Sequence, residues 1–203
     1  MSAAPSLAGR VDAVVIGASA GGVEALLLLL PALPAGLRAP VFVVQHLPRE
    51  RPSLLVEIFA PRCAVPLQEA QDKQPIEPGN VYFAPPDYHL LLDTGPRLSL
   101  SVDAPVHYSR PAIDVLFQSA ADLYGTRLLA MVLTGGNQDG AEGLAAVRAA
   151  GGLTAVQDPA DAQMPLMPEC ALATGPADFV LPLRDFVALL RTLDAASQAR
   201  STA

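Results

Sequence analysis

The chain has few basic residues and few aromatic residues. Tryptophan does not occur among its 203 residues, and lysine occurs once, at Lys73. The formal net charge is −7, and no cluster of Lys or Arg appears anywhere. Nucleic acids and anionic membrane surfaces select for concentrated positive charge, so we expect neither as a partner.

Cysteines and long hydrophobic runs are also scarce. Cys63 and Cys170 do not have the spacing of metal ligands, and we expect free thiols in a reducing compartment rather than one disulfide. The apolar run that includes LLLLLP at 26–31 is too short to span a bilayer and does not start like a signal peptide. These absences predict a cytoplasmic protein without membrane insertion.

Apolar runs alternate with helical patterns along the chain. Several runs are continuously apolar, which is typical of parallel strands buried on both faces. We therefore predict an α/β fold with a doubly wound, mainly parallel sheet, helices on both faces, and a small antiparallel hairpin edge at 88–102. The predicted strands are 12–17, 40–46, 80–85, 128–135 and 153–157, and the predicted helices are 22–32, 52–60, 111–124, 140–150 and 184–194.

The length fits one compact domain. Half of the residues are apolar, which is enough for a sizeable core in a chain of 203 residues. We predict a single domain over 11–194. Small and polar residues predict flexible termini at 1–10 and 195–203.

Three chemically active side chains follow three of the predicted strands. Ser19 follows the first strand, His46 the second, and Asp139 comes after LLAMVLTG. Because ligands in open α/β sheets bind at the carboxyl ends of the strands, we expect these side chains to meet at one edge. A hydroxyl, an imidazole and a carboxylate in mutual reach form a nucleophile, a base and a group that orients the base.

The segment around Ser19 has the form of a nucleophile turn. Gly17–Gly21 fits G-x-S-x-G, in which small neighbours allow a sharp turn that exposes the serine hydroxyl. The helix predicted from Gly22 would place free N–H groups near a developing oxyanion. A phosphate-binding turn is the alternative, but neither G-x-G-x-x-G nor the Gly-Lys-Ser/Thr of a P-loop is present.

Each of the other two residues also has a structural alternative. His46 could bond the backbone at the end of its strand, and Asp139 could cap the following helix. Of the remaining histidines, His89 and His107 could be structural or could line a pocket, and His107 is the better candidate for substrate contact. The order Ser–His–Asp, with the turn after the first strand, disfavours the ordinary α/β-hydrolase architecture.

At this level of detail the chain resembles one family, the catalytic domain of chemotaxis protein-glutamate methylesterases of the CheB type. The matching stretches run in order over about residues 11–190. They are VVIGASAGGVEAL, VVQHLP, LQEAQDKQPIEPGNVYFAPPDYHLLL, HYSRPAIDVLFQSAA, LTGGNQDGAEGL, AVQDPADAQMPLMPECA and ADFVLPL.

The resemblance implies an activity and its residues. It implies hydrolysis of glutamyl methyl esters on receptor signalling helices, with release of methanol and often deamidation of receptor glutamines. The family's catalytic residues fall on Ser19, His46 and Asp139, its oxyanion donor near Gly136, and its R-P arginine on Arg110. The expected partners are methylated receptor helices. Neither a metal nor an organic cofactor is expected.

The chain also departs from the family pattern. Ala20 stands at a position of the oxyanion and substrate region where the family usually has Ser or Thr. Gly135, Gly136 and Asn137 replace the usual G-M-G before Asp139. The first strand starts near residue 11, so we expect a stand-alone catalytic domain without a receiver. Its control is then either by a separate receiver or regulator in trans, or absent.

Two other functions are compatible with the same fold. A non-catalytic module that binds a receptor or regulator would not need all three catalytic groups. A nucleotide-binding domain would need a Lys or a ribose-binding acid at the expected spacing, and neither is present.

Overall fold

The computed structural model describes residues 6–48 and 52–193. The strands are β1 (Ala13–Ala18), β2 (Val41–Gln45), β3 (Leu67–Glu69), β4 (Val81–Phe83), β5 (His89–Asp93), β6 (Arg97–Ser101), β7 (Leu128–Val132), β8 (Leu153–Gln157) and β9 (Phe179–Leu181). The α-helices are α1 (Gly22–Leu29), α2 (Leu55–Phe59), α3 (Ile113–Tyr124), α4 (Ala141–Ala149), α5 (Leu166–Ala173) and α6 (Leu183–Leu190).

Seven strands form one parallel sheet in the order β3-β4-β2-β1-β7-β8-β9. Alternate residues of β1 point to opposite faces, and all six are buried. Val14 and Ile16 pack with α1, α2 and α6 on one face, whereas Ala13 and Val15 pack with α3, α4 and α5 on the other. The predicted doubly wound α/β fold is confirmed.

The central strand β1 is the switch point of the topology. After β1 the chain builds β2, β3 and β4 on one side, and it later returns to place β7, β8 and β9 on the other. The crevice for a ligand is therefore expected at the carboxyl end of β1, between the loops that follow β2 and β7.

The predicted hairpin forms, with a different attachment. Strands β5 and β6 pair antiparallel from His89↔Ser101 to Asp93↔Arg97. They make a separate two-stranded sheet instead of an edge of the main sheet. The reason is the apolar face of the hairpin, since Leu90, Leu92 and Leu98 are buried in the core that α3 also enters.

Three short elements lie outside the predicted set. Strands β3 and β9 have three residues each and are only partly buried, so their hydrophobic patterns are too short to recognise. Helix α5 contains Pro168 at its third position, where a missing N–H costs little, although the residue masks the helical pattern.

The predicted flexible segments fall mostly outside the described residues. Positions 1–5 and 195–203 are not among them. Within the described part, Leu7 is buried, and its N–H donates to Thr192 Oγ1 at 3.0 Å. Cys63 and Cys170 are both free thiols. In the described ranges, no helix combines the length and apolar character needed to cross a bilayer.

Candidate functional site

The carboxyl ends of three neighbouring strands bring the predicted residues together. The last pair in the β1–β2 register is Ala18↔Gln45, so Ser19 and His46 follow side by side. The His46 N–H donates to Ala18 O at 3.0 Å. On the other side of β1, the Ser19 N–H donates to Thr134 O at 3.0 Å, just after β7. Backbone hydrogen bonds thus fix Ser19 between its two neighbours.

Gln45 joins the two segments a second time. Its Nε2 donates to Ser19 O at 2.9 Å and to His46 O at 3.0 Å. The residue is 5% exposed, so these bonds form largely away from water. A side chain bound to both carbonyls restrains the serine and the histidine relative to one another.

His46 and Asp139 form a close pair. His46 Nε2 lies 2.8 Å from Asp139 Oδ2, and Asp139 is completely buried. The same carboxylate accepts the N–H of Ile113 at 2.7 Å and that of Asp114 at 2.9 Å. These are the first N–H groups of α3, whose positive end favours a negative charge. Asp139 is therefore a helix cap as well as the partner of His46, but for α3 and not for the helix that follows it.

The pair determines which histidine nitrogen can act as a base. An ionised carboxylate only accepts hydrogen bonds, so Nε2 carries the proton and Nδ1 keeps a lone pair. Within the described ranges the Ser19 hydroxyl makes no hydrogen bond to His46. Contacts of this kind are often loose in a site without substrate and close in the substrate complex.

Two N–H groups beside Ser19 have no acceptor among the described residues. They belong to Ala20 and Gly136, and both residues are exposed. The adjacent Gly135 N–H, by contrast, donates to Met164 O at 3.0 Å. The Thr134 hydroxyl holds Ala20 O at 2.9 Å and so fixes the turn. A role of the two N–H groups as oxyanion donors stays a prediction.

Arg110 borders the site, and its guanidinium is bound within the protein. It donates to Asp87 Oδ1 at 3.0 and 2.7 Å, and to the carbonyls of Val102 and Asp103 at 2.7 and 3.0 Å. Arg110 also lines a cavity of about 70 Å³ together with His46. Arg110 thus holds together the segments around Asp87 and Val102 next to His46, and its contact with substrate stays a prediction.

His107 lies at the opposite side of the Asp139 loop. Its Nδ1 accepts from Gln138 Nε2 at 3.1 Å, and its Nε2 lies 3.2 Å from Asp114 Oδ2. The ring also lines two adjoining clefts of about 270 and 350 Å³ with Gln138 and Cys170. A role of His107 in substrate contact likewise stays a prediction.

His89 is a structural residue. It is 1% exposed, and its Nδ1 accepts the Ala112 N–H at 3.1 Å. Its Nε2 lies 3.2 Å from Ala104 O and therefore carries the proton. Both nitrogens are used, which removes His89 as a competing base.

Two residues of the site were not found from the sequence. Asp114 and Gln45 sit in patterns that predict an ordinary helix start and a strand end. Asp114 finds its hydrogen-bond partners only because α3 contacts α4, and Gln45 finds its partners only through the register of β1 with β2. In the described part of the chain, no group of His, Cys, Asp and Glu is suited to hold a metal ion.

Known proteins share this sequence and fold. The family model described as CheB methylesterase matches residues 14–190. A protein-glutamate methylesterase/protein-glutamine glutaminase of Trichodesmium erythraeum is 39% identical over 86% of this chain and 50% of its own length. A Leptospira interrogans protein that provisionally carries the same name is 41% identical over 90% of this chain and 95% of its own length.

A solved structure agrees with these relatives. The crystal structure of the Thermotoga maritima CheB methylesterase catalytic domain superposes with a TM-score of 0.82 at 33% identity. The match covers 88% of this chain and 98% of that domain. Because the family model spans most of the sequence and the architecture matches the catalytic domain, this chain belongs to the CheB methylesterase family.

Proposed function

We propose that this chain is a serine hydrolase that removes methyl groups from glutamyl methyl esters of chemoreceptor signalling helices. The observation that carries the proposal is the His46–Asp139 pair at 2.8 Å, held at the strand end beside Ser19. The names of the relatives support the substrate, and they add the deamidation of glutamine as a second reaction of the same kind.

The first half of the reaction forms an acyl-enzyme. The Ser19 hydroxyl attacks the ester carbonyl carbon while His46 Nδ1 takes the hydroxyl proton. Asp139 stabilises the resulting imidazolium, and the N–H groups of Ala20 and Gly136 bind the oxyanion. Collapse of the tetrahedral species breaks the C–O bond to the methoxy group. His46 returns its proton to that oxygen, and methanol leaves.

The second half restores the enzyme. Water attacks the glutamyl ester of Ser19, and His46 takes a proton from it. The new tetrahedral species expels the serine oxygen, which regains its proton from His46. The glutamic acid side chain that is released loses its own proton to water and becomes a carboxylate. With a glutamine side chain, the leaving group of the first half is ammonia, and the product is the same carboxylate.

The proposed partners follow from this reaction. The substrate is a methylated receptor helix, and a separate receiver or regulator acts in trans. The chain spans about half the length of several relatives, including the Trichodesmium protein. A cytoplasmic location fits a substrate on receptor signalling helices.

Methanol release tests the proposal. A receptor fragment methylated with a radioactive methyl donor is incubated with the wild type, with Ser19→Ala, and with the control Ser99→Ala on β6 of the hairpin. We expect radioactive methanol from the wild type and the control only. Turnover by Ser19→Ala at the wild-type rate would exclude Ser19 as the nucleophile.

A further inference from the structure

A second buried carboxylate, Asp114, lies behind the His46–Asp139 pair. It is 2% exposed. Its Oδ1 accepts the Gly140 N–H at 2.9 Å and the Gly143 N–H at 2.6 Å. These donors belong to the first turn of α4, and Gly140 directly follows Asp139 in the chain. Asp114 therefore holds the start of α4 at the residue next to the catalytic carboxylate.

The two carboxylates cap each other's helices. Asp139, in front of α4, accepts the first N–H groups of α3, and Asp114, in the first turn of α3, accepts those of α4. Neither helix is capped by its own N-cap side chain, since those residues are Ala112 and Gly140. The exchange fixes the position of one carboxylate through the other.

Close packing leaves this arrangement little freedom. A Cβ at Gly143 would lie 2.6 Å from Phe117 Cβ and 3.0 Å from the Asp114 Cα, so α3 and α4 touch at their backbones. Gly140 adopts φ +97°, which favours glycine, and brings its N–H towards Asp114. The two helix ends can thus move only together.

The outer oxygen of Asp114 faces His107. Since Gln138 donates to His107 Nδ1, the ring proton is on Nε2, 3.2 Å from Asp114 Oδ2. The contact is electrostatic, because Oδ2 has no aligned hydrogen bond among the described residues. Burial raises the pKa of Asp114 to about 6; the Gly143 N–H lowers it, the nearby charge of Asp139 raises it further, and His107 opposes that rise.

We propose that Asp114 is a positioning residue for the hydrolytic site: it holds Asp139 in line with His46 through Gly140 and Gly143, and its charge adds to that of Asp139. The proposal rests on the proposed function for its substrate, and on the hydrogen bonds above for its geometry. Asp114 itself touches neither the substrate nor the reacting atoms.

The local charges determine the expected pH dependence. A negative charge behind Asp139 favours a positive charge on the reacting imidazole, so its removal should move the acid limb of kcat/KM to lower pH. Both nitrogens of His89 are hydrogen-bonded to the backbone, and Arg110 is paired with Asp87. Within residues 6–48 and 52–193, the titratable and charged groups around Asp114 and His46 include Asp139, His107, His89, Glu142, Arg110 and Tyr108.

Two substitutions separate position from charge. Asp114→Ala removes the acceptor of both N–H groups, and we expect kcat to fall by about 100-fold, the order that a misplacement near 1 Å costs. KM should stay within about twofold of the wild type. Asp114→Asn keeps an oxygen for Gly140 and Gly143, so its kcat should recover to within about fivefold while the acid limb of kcat/KM moves to lower pH. Asp122→Asn, on the exposed side of α3, is the control and should change nothing.

Each variant is assayed with the methylated receptor fragment and with p-nitrophenyl acetate, and the rates are divided by the folded fraction from circular dichroism. If the wild type cleaves only p-nitrophenyl acetate, the receptor substrate is wrong, and the second assay still tests Asp114. Wild-type kcat for Asp114→Ala, or an Asp114→Asn variant as slow as Asp114→Ala, would overturn the proposal. If Asp114→Ala does not fold, Asp114→Asn decides: an acid limb superimposed on that of the wild type overturns the proposal, and a displaced one supports it.

Discussion

Replacement of Asp139 by asparagine removes one charge and one acceptor from a fully buried group. The carboxylate accepts three hydrogen bonds: from His46 at one oxygen, from Ile113 at the same oxygen, and from Asp114 at the other. Asparagine offers one oxygen and one NH₂ group in their place. In either orientation of the amide, the NH₂ group faces an N–H of α3, so one buried donor loses its acceptor.

The structure gives a magnitude for each effect. One unsatisfied buried N–H costs about 1–3 kcal/mol, so the free energy of unfolding of Asp139→Asn should fall by about that amount. The loss of the charge that stabilises protonated His46 should lower kcat by about 10⁴-fold, the order found for this change in Ser-His-Asp sites. KM should change little, because Asp139 is buried away from the substrate.

Chemical denaturation and the esterase assay measure the two effects separately. Asp122→Asn, on the exposed surface of α3, serves as the control for an equal loss of charge. The kinetic comparison is made well below the melting temperature of both proteins. A kcat of Asp139→Asn within tenfold of the wild type would refute the role assigned to Asp139, whatever the change in stability.

Two further predictions concern the glycine loop and the buried acid. A Cβ at Gly135 would collide with Met167 Sδ, so Gly135→Ala should lower Tm and reduce esterase activity at least tenfold. A Cβ at Gly136 would meet only Met164 Cε, at 3.8 Å, so Gly136→Ala should fold normally. Equal melting curves for the two variants would contradict this packing. The second prediction concerns pH. The pKa of Asp114 is raised from 3.8 to about 6, so in that range the folded wild type binds a proton that the unfolded chain releases. The stability of the wild type therefore falls as the pH rises through that range. The Tm of Asp114→Asn relative to the wild type should therefore rise as the pH increases from 3.8 to about 6 and level off above that range. A constant difference across that interval would contradict the raised pKa.

The sequence predicted the parts of the fold that local patterns determine. Continuous apolar runs such as Val41–Gln45 indicate a parallel strand because both faces are buried. The short edge strands β3 and β9 have half-exposed residues, and tertiary pairing forms them. The hairpin at 88–102 was predicted, but its separation from the main sheet depends on the packing of its leucines against α3.

The site shows the same division between local and long-range information. Ser19, His46 and Asp139 follow three strands, so the rule for parallel sheets is enough to bring them to one edge. The capping exchange between Asp139 and Asp114 joins residues 25 positions apart. No spacing of residues in the sequence indicates that the N-terminal ends of α3 and α4 lie next to one another in the fold. In the sequence Gln45 is an ordinary residue near the end of the predicted strand 40–46, and only the β1–β2 register gives its side chain two carbonyls to bind.

The central claim is that His46 activates the hydroxyl of Ser19 for attack. Labelling with a fluorophosphonate tests this most directly, because the reagent bonds to an activated serine without any receptor substrate. We expect one adduct per chain, mapped by mass spectrometry to Ser19, with labelling slowed at least 100-fold in His46→Ala and unchanged in Ser99→Ala. An adduct on another serine, or labelling of Ser19 at the wild-type rate in His46→Ala, would contradict it.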